Sequence, residues 1–406
     1  MDLKREKREV KFLKLCLFFA HVLPFFYMFR PYSYPSFITL WLIIGVIMAF
    51  SNWGVIFKNN NLIFGIFFLG EIVSILGYFI YDYSARLENV PYILTATFSF
   101  LLLPQFFFFV KGALLSMDDF KELVRFIVKL NFGCVLLGII LYILNPGFYV
   151  SFVRTSVNLS SSQEYFRMIS YFGTSMITGL VCSISAFLTL NLFENKWYKN
   201  IFLFVFLFGL IMTMARGAWL AFIVSLFYYF IFIKKIKIRV RSLICFSFLC
   251  LVLVTYGQHL FADYLDSEDF NQLLIRVRHF TGATSERIVQ WEKAIDFFYD
   301  YPMGAGIGLL SHKASNSNLG FIVPDGNYFR ILGELGIFGI FFFLFLFLFS
   351  LYLSHKRKLY WITGVLIIYS LQALGTNVFD LYYIGYIFWL FIGVVLSKKA
   401  HVSNVN

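Results

Sequence analysis

The sequence predicts an all-α integral membrane protein of about twelve transmembrane helices, with a large, partly helical extracytoplasmic loop. Three observations support this fold class: the composition, the recurrence of long apolar runs and the distribution of basic residues between them. The chain has 406 residues, of which 60% are hydrophobic and 14% are charged. Soluble domains have about 45–50% apolar and about 25% charged residues. The composition therefore excludes a soluble enzyme, a disordered protein and a disulfide scaffold.

Apolar runs of spanning length recur along the chain. They lie at 12–30, 37–57, 62–81, 90–110, 126–144, 169–193, 242–257, 337–354, 359–377 and 380–397. A helical span needs about 20 apolar residues. The first run follows a basic segment but lacks a small-x-small cleavage site, so we interpret it as an uncleaved first span.

Basic clusters set the predicted orientation. They lie at 4–14, 58, 111–129, 196–199, 234–241, 356–358 and 398–399. Cytoplasmic loops collect Lys and Arg, and all these clusters are cytoplasmic if the run at 201–233 crosses twice. This topology also accounts for the net charge of +12 without nucleic acid. It divides the chain into nine spans (1–257, N-terminus cytoplasmic), a large extracytoplasmic loop (258–336) and three spans (337–406, C-terminus cytoplasmic).

The basic residues left on the outer side are mostly arginines, and a guanidinium grips phosphate with two parallel hydrogen bonds. They are Arg30, Arg86, Arg154, Arg167, Arg216, Arg276, Arg278, Arg287, Lys293, Lys313 and Arg330. Among them, Arg154, Arg167, Arg276, Arg278 and Arg330 are candidates to line an anionic or glycan groove. Ordinary surface ion pairs are the alternative.

The run at 201–233 is interrupted only by Arg216-Gly217. As one helix it would be about 50 Å long, whereas two limbs of about 24 Å would place the tip, Met214–Trp219, below the outer membrane surface. Free N–H groups at the start of the returning helix attract anions, and Gly217 lets an anion approach the backbone. We expect Arg216 and Gly217 to hold a lipid-borne phosphate; the alternative is that Arg216 snorkels to the interface.

In the large outer loop, Ser285 is predicted to N-cap a helix that runs to Asp300. The glycines of 304–308 do not form G-x-G-x-x-G and no strand precedes them. We therefore predict a tight backbone crossing there, not a nucleotide loop. The five cysteines lie in apolar runs without C-x-x-C spacing, which predicts neither a metal site nor a disulfide.

Three segments in this order resemble the O-antigen ligase and Wzy-type polysaccharide polymerase superfamily. They are Ala215-Arg216-Gly217-Ala218-Trp219, then Arg287-x-x-x-Trp291 with Pro302-x-Gly304-x-Gly306-x-Gly308, then Asn327-Tyr328 with Glu334-Leu335-Gly336-x-x-Gly339. The resemblance covers about 200–345 in motif terms. It implies a GT-C-like membrane fold and glycosyl transfer, without metal or other cofactor, on the outer face of a bacterial inner membrane.

The resemblance also implies a donor glycan linked through pyrophosphate to a polyprenol such as undecaprenol. By matching position, Arg216 and Arg287 would contact that pyrophosphate. A flippase and a chain-length regulator are the implied partners. The glycan would be O-antigen or capsule.

Position 325 separates two activities within the superfamily. Ligases that transfer to lipid A core typically have His before the Asn of the third segment, whereas this chain has Asp325-Gly326-Asn327. We therefore favour a polymerase over a ligase, with Asp325 as the first candidate base for the acceptor hydroxyl and Glu286 and Glu334 as the other candidates. Asn327, Tyr328 and Glu334 are candidate substrate-binding residues. Asp325 as a plain turn residue and Glu334 as a structural contact are the alternatives.

Two other classes stay open at this stage. Glu71 is a lone carboxylate within an apolar run, an expensive location that suits a proton path and hence a transporter or flippase for lipid-linked sugars. That class also predicts inverted repeats, and the sequence shows none. A non-enzymatic subunit of a glycan export complex is the third possibility.

Overall fold

A computed structural model describes residues 10–19, 21, 102–144, 168, 170–172, 174–213, 215–235, 282–306, 310, 326–379 and 382–397. Across these ranges the chain forms helices joined by turns, and none of these residues is in a strand. The all-α prediction is therefore confirmed for this part of the chain.

The helices are numbered here in chain order. They are α1 (Leu102–Leu114), α2 (Met117–Leu144), α3 (Ser175–Leu192), α4 (Lys196–Thr213), α5 (Arg216–Tyr228) with a π-helical extension (Tyr229–Ile233), α6 (Gly282–Asp300), α7 (Asn327–Lys356), α8 (Tyr360–Ala373) and α9 (Tyr382–Leu396). Residues 10–19 are helical as well.

Five of the described helices are long and apolar enough to cross a membrane: α2, α3, α4, α5 with its extension, and α7. α8 and most of α9 form shorter apolar helices. The protein is thus a membrane protein, as the composition predicts. The count of twelve spans and the divisions at 257 and 336 depend on residues beyond these ranges and stay predictions.

The long apolar run at 201–233 is two helices, as its interruption predicts. α4 ends at Thr213 and α5 begins at Arg216, with Ala215 as its N-cap. The indole Nε1 of Trp219 donates to the carbonyl of Leu210 at 2.8 Å. This bond ties the first turn of α5 to the last turn of α4 and fixes the break.

Helix α3 lies at the centre of the described bundle. It packs against α2, α4, α5 and α8, and most of its residues are buried. Small residues permit this packing: a Cβ on Gly179 would lie only 2.8 Å from the Cβ of Ala215, and Ser183 Oγ donates to the carbonyl of Ala218 at 3.0 Å. In membranes such close approaches and interhelical hydrogen bonds hold helices together.

Helices α5 and α8 run antiparallel. Gly217 lies beside Gln372 at one end, and farther along Ser225 Oγ donates to the carbonyl of Gly364 at 3.0 Å. The start of α5 and the end of α8 therefore meet at the same end of the bundle.

Helices α7 and α8 are also antiparallel. The hydroxyl of Tyr328 lies 3.2 Å from Ser370 Oγ, and Thr363 Oγ1 donates to Ser354 Oγ at 2.9 Å. The starts of α5 and α7 thus share one end of the bundle with residues 372–379.

The opposite end of the bundle is basic. Arg125 donates to the carbonyl of Leu192 at 3.2 Å and Lys199 to that of Leu190 at 2.7 Å, both at the end of α3. Further basic residues follow α5 and α7 at the same end: Lys234, Lys235, Lys356, Arg357 and Lys358. This is the distribution that the positive-inside rule predicts for a cytoplasmic face; the sidedness itself stays a prediction.

Two helix starts differ from the sequence-based expectation. The prediction that Ser285 N-caps α6 is wrong, because the helix begins at Gly282; Ala283 is a strong helix former that lets the helix extend by most of a turn. Its predicted end at Asp300 is confirmed. Helix α7 begins at Asn327, well before the predicted span at 337, and its backbone leaves helical geometry at Gly336 (φ 66°, ψ −164°).

Candidate functional site

The start of α5 presents an exposed arginine and an exposed glycine. Arg216 and Gly217 are both exposed to solvent, and neither an acidic residue nor a capping side chain occupies this helix start. The N–H groups of Ala218 and Trp219 both donate to the carbonyl of Ala215, at 3.0 and 3.1 Å. These two N–H groups are therefore satisfied within the helix, and the positive end of the helix dipole at this start favours an anion.

The end of α8 packs directly on this helix start. A Cβ on Gly217 would lie 3.1 Å from Oε1 of Gln372. The other end of the same carboxamide, Nε2, donates to Thr376 Oγ1 at 3.2 Å. Thr376 in turn donates to the sulfur of Met176 at 3.2 Å, so the first turns of α3 and α5 are linked through α8.

The third motif segment contacts the stretch of chain that follows α8, residues 374–379. Asn327 is 2% exposed, and its Oδ1 accepts hydrogen bonds from the backbone N–H groups of Val378 and Phe379. Gly326 has a φ of 118°, and a Cβ there would lie 2.5 Å from the carbonyl oxygen of Leu374. The motif thus begins α7 and holds residues 374–379 in place.

Tyr328 and Glu334 also have partners within the protein. The hydroxyl of Tyr328 lies within 3.3 Å of the carbonyl oxygen of Ser370. Glu334 is 4% exposed and pairs with Arg330, whose Nε donates to Glu334 Oε1 at 2.8 Å. The same oxygen accepts the N–H of Leu310 at 3.2 Å. Contact of these side chains with substrate stays a prediction.

The glycine-rich stretch after α6 crosses α7 at its kink. The N–H groups of Ala305 and Gly306 donate to the carbonyls of Gly333 and Glu334, at 2.9 and 3.0 Å. The N–H of Ile337 donates back to the carbonyl of Pro302 at 3.1 Å. The predicted backbone crossing is therefore confirmed at Gly304 and Gly306.

Helix α6 is fixed to α7 by an aromatic stack as well. The ring centroids of Trp291 and Phe329 are 4.9 Å apart, with the planes 13° from parallel. Arg287 lies one helical turn before Trp291 on α6. The stack therefore places the Arg287 turn beside the first turns of α7.

The structure brings four of the predicted residues to one region, since Tyr328 follows Asn327 and bonds to Ser370 near the end of α8. Gly217 and Arg216 begin α5, Asn327 begins α7, and both helix starts contact residues 372–379. Of Arg287 the structure describes the helical backbone alone. Glu334 lies farther along α7, and five predicted residues lie outside the described ranges: Arg154, Arg167, Arg276, Arg278 and Asp325. Asp325 directly precedes Gly326 in the chain.

Sequence reasoning missed residues 372–379. Gln372, Thr376 and Asn377 are polar residues at the end of an apolar run, and that change of composition is a signal for a polar contact within the bundle. The partner of Gln372 is far away in the chain, so the sequence does not indicate which helix it contacts. The described residues contain no group of three or more His, Cys, Asp or Glu placed to hold a metal ion.

A family model matches part of the chain. Residues 201–344 match the model of the family described as O-antigen ligase. That range runs from α4 into α7 and contains all three motif segments, so the predicted superfamily is confirmed for this part of the chain. No curated protein matches the chain significantly.

Proposed function

We propose, from the O-antigen ligase family domain that residues 201–344 carry, that this protein is a polysaccharide polymerase of the bacterial inner membrane. It joins polyprenyl-pyrophosphate-linked oligosaccharide repeat units, of O-antigen or capsule, on the extracytoplasmic side. One observation carries the proposal: the helix start with Arg216 and Gly217 and the helix start with Asn327 pack against the same residues, 372–379. Two of the three motif segments thus meet at one site.

The start of α5 suits a pyrophosphate leaving group. Glycosyl transfer from a sugar pyrophosphate breaks the bond between the anomeric carbon and the phosphate oxygen, and negative charge builds up on the departing diphosphate. A guanidinium and preorganised N–H groups aimed at that charge stabilise the transition state. Arg216 and the first turn of α5 supply these groups, and Arg287 on α6 adds the second positive charge.

The acceptor is a hydroxyl of a second repeat unit. Its proton must leave as the new glycosidic bond forms, and a carboxylate within hydrogen-bond reach serves as the base. We assign this role to Asp325, which precedes the start of α7. Because Asp stands where lipid A core ligases have His, the proposal favours transfer between repeat units over transfer to lipid A core.

The experiment uses a deletion strain of the source organism and the electrophoretic pattern of its surface glycan. A polymerase predicts single repeat units in the deletion strain and a ladder after complementation with the wild-type chain. Complementation at matched expression with Arg216→Ala, Arg287→Ala or Asp325→Ala should leave single units. Lys293→Ala is the matched control, since Lys293 is an exposed basic residue of the same helix as Arg287.

Other patterns would replace the proposal. Long polymer left on the polyprenol carrier in the deletion strain indicates a ligase. Repeat units retained on the cytoplasmic leaflet indicate a flippase or another transporter.

A further inference from the structure

The carboxamide of Gln372 is buried and only partly satisfied. The residue is 3% exposed, and among the described residues its Oε1 has no hydrogen-bond partner. Buried polar atoms in native proteins are nearly always hydrogen-bonded, because they have given up their bonds to water. An unpartnered oxygen beside the Arg216-Gly217 segment is therefore a candidate acceptor for a ligand group.

The contacts of the side chain determine which end of the carboxamide faces the site. The thioether of Met176 can only accept a hydrogen bond, so the hydroxyl proton of Thr376 points to it, at a distance of 3.2 Å. The hydroxyl oxygen of Thr376 then accepts from Nε2 of Gln372 at 3.2 Å. This leaves Oε1, the acceptor end, against Gly217, 3.1 Å from its Cβ position.

An acceptor at this location does not suit the phosphate itself. An ionised diphosphate carries oxygens without protons and needs donors, which the guanidinium of Arg216 provides at the positive end of the α5 dipole. The sugar bonded to that diphosphate carries hydroxyl or amide protons next to it. A hydroxyl or N–H of this sugar is the nearest group that can donate to Gln372.

We propose that Gln372 Oε1 accepts a hydrogen bond from a hydroxyl or amide N–H of the sugar directly joined to the pyrophosphate, and that Gln372 is a specificity-determining residue. The inference rests on the proposed function, because it takes the pyrophosphate to lie at the start of α5. The acceptor glycan carries the same hydroxyl chemistry. The donor sugar is favoured because Gln372 packs on Gly217, the residue against which the pyrophosphate would lie.

The test measures binding to the full-length protein in detergent with three lipids. These are undecaprenyl pyrophosphate, and the same lipid carrying N-acetylglucosamine or galactose. Gln372→Met keeps the length of the side chain and replaces the strong amide acceptor by a thioether, which is only a weak acceptor. We expect it to weaken binding of at least one glycosylated lipid about 5- to 10-fold. Its affinity for undecaprenyl pyrophosphate should stay within about twofold of wild type.

Two further variants keep the test informative. Asn191→Leu is the matched control, because Asn191 donates to the carbonyl of Phe187 at 2.7 Å at the opposite end of the bundle. Its affinities for all three lipids should stay unchanged. Thr376→Val leaves Gln372 in place but removes the bond that orients it. It should produce the same selective loss, and it replaces Gln372→Met if that variant does not fold.

Each contrary outcome has a distinct meaning. An equal loss for glycosylated and unglycosylated lipids, or no loss, overturns the inference while the proposed function stands. Methyl glycosides of the same two sugars serve as further ligands, and a loss confined to them assigns Gln372 to the acceptor and overturns the donor assignment. If Arg216→Ala leaves undecaprenyl pyrophosphate binding unchanged, the proposed anion site fails, and the inference about Gln372 fails with it.

Discussion

Gly304 and Gly336 lie so close that neither position has room for a side chain. A Cβ on Gly304 would be 2.8 Å from the backbone nitrogen of Gly336, and one on Gly336 would be 2.5 Å from the nitrogen of Gly304. Both residues also have positive φ, 97° and 66°, a conformation that favours glycine. This crossing joins the stretch after α6 to the kink of α7.

Alanine at either glycine should destabilise the protein strongly. The positive φ alone costs about 1–3 kcal/mol for a residue with a Cβ, and the backbone contacts cannot move apart without breaking the crossing. Gly304→Ala and Gly336→Ala should lower the thermal unfolding midpoint in detergent. Gly133→Ala is the matched control, because nothing lies within 4 Å of its Cβ position and alanine favours the helix. Midpoints that stay at the wild-type value would contradict the close crossing.

The Arg330–Glu334 pair is buried, so its two charges should be strongly coupled. The side chains are 9% and 4% exposed, and removing one partner of a buried pair costs about 3–5 kcal/mol. Arg330→Met and Glu334→Gln should each lower the unfolding midpoint. The double variant should lose clearly less than the two single losses added together, as a double-mutant cycle in detergent measures. Additive losses would show that the pair contributes no coupling.

Asn327 should matter for stability through two backbone N–H groups. Asn327→Leu leaves the N–H groups of Val378 and Phe379 without their acceptor, at a cost of about 1–3 kcal/mol for each unsatisfied group. We expect a lower thermal midpoint and faster proteolysis near residues 374–379. Asn191→Leu, which removes one hydrogen bond to a carbonyl, should have the smaller effect. An equal effect of the two variants would argue against this role of Asn327.

The sequence predicts the helices well because their signal is local. Apolar runs and the break at Arg216-Gly217 depend on neighbouring residues, and the structure has α4 and α5 on either side of that break. The glycines near 304 predict the backbone crossing for the same reason, since a close crossing needs residues without side chains. The sequence predicts the start of α6 too late, at Ser285 instead of Gly282, because the residues between them also tolerate a helical backbone.

The part of the site that the sequence does not predict depends on long-range contacts. Gln372 contacts Gly217, and Asn327 binds the backbone at Val378 and Phe379. Residue type does not show which backbone N–H a side chain will bind, because every residue except proline has one. The role of residues 372–379 therefore becomes evident only when the helices are packed together.

The two arginines of the proposed site should control catalysis and leave folding largely intact. Arg216 is exposed, so Arg216→Ala removes little packing but loses a group that stabilises the leaving diphosphate. Loss of one such group typically lowers the rate about 10²–10³-fold. Arg216→Lys should retain partial activity, because lysine keeps the charge without the planar fork. Polymerisation rate and thermal midpoint, measured together for Arg216 and Arg287 variants against Lys293→Ala, test this separation. A fall in the midpoint that matches the loss of rate would make the role structural.

Gly217→Ala should separate function from stability most sharply. Alanine is the better helix former by about 1 kcal/mol, which offsets the cost of the tight contact that its Cβ makes with Gln372, so the thermal midpoint should stay close to that of the wild type. The added methyl would lie 3.1 Å from Gln372 Oε1, in the space where we place the ligand. We expect the ladder of polymerised glycan to shorten or disappear at normal protein levels. A full ladder from Gly217→Ala would mean that neither the pyrophosphate nor its sugar approaches the backbone at this point, because a ligand that close to the α5 start has no room for the methyl.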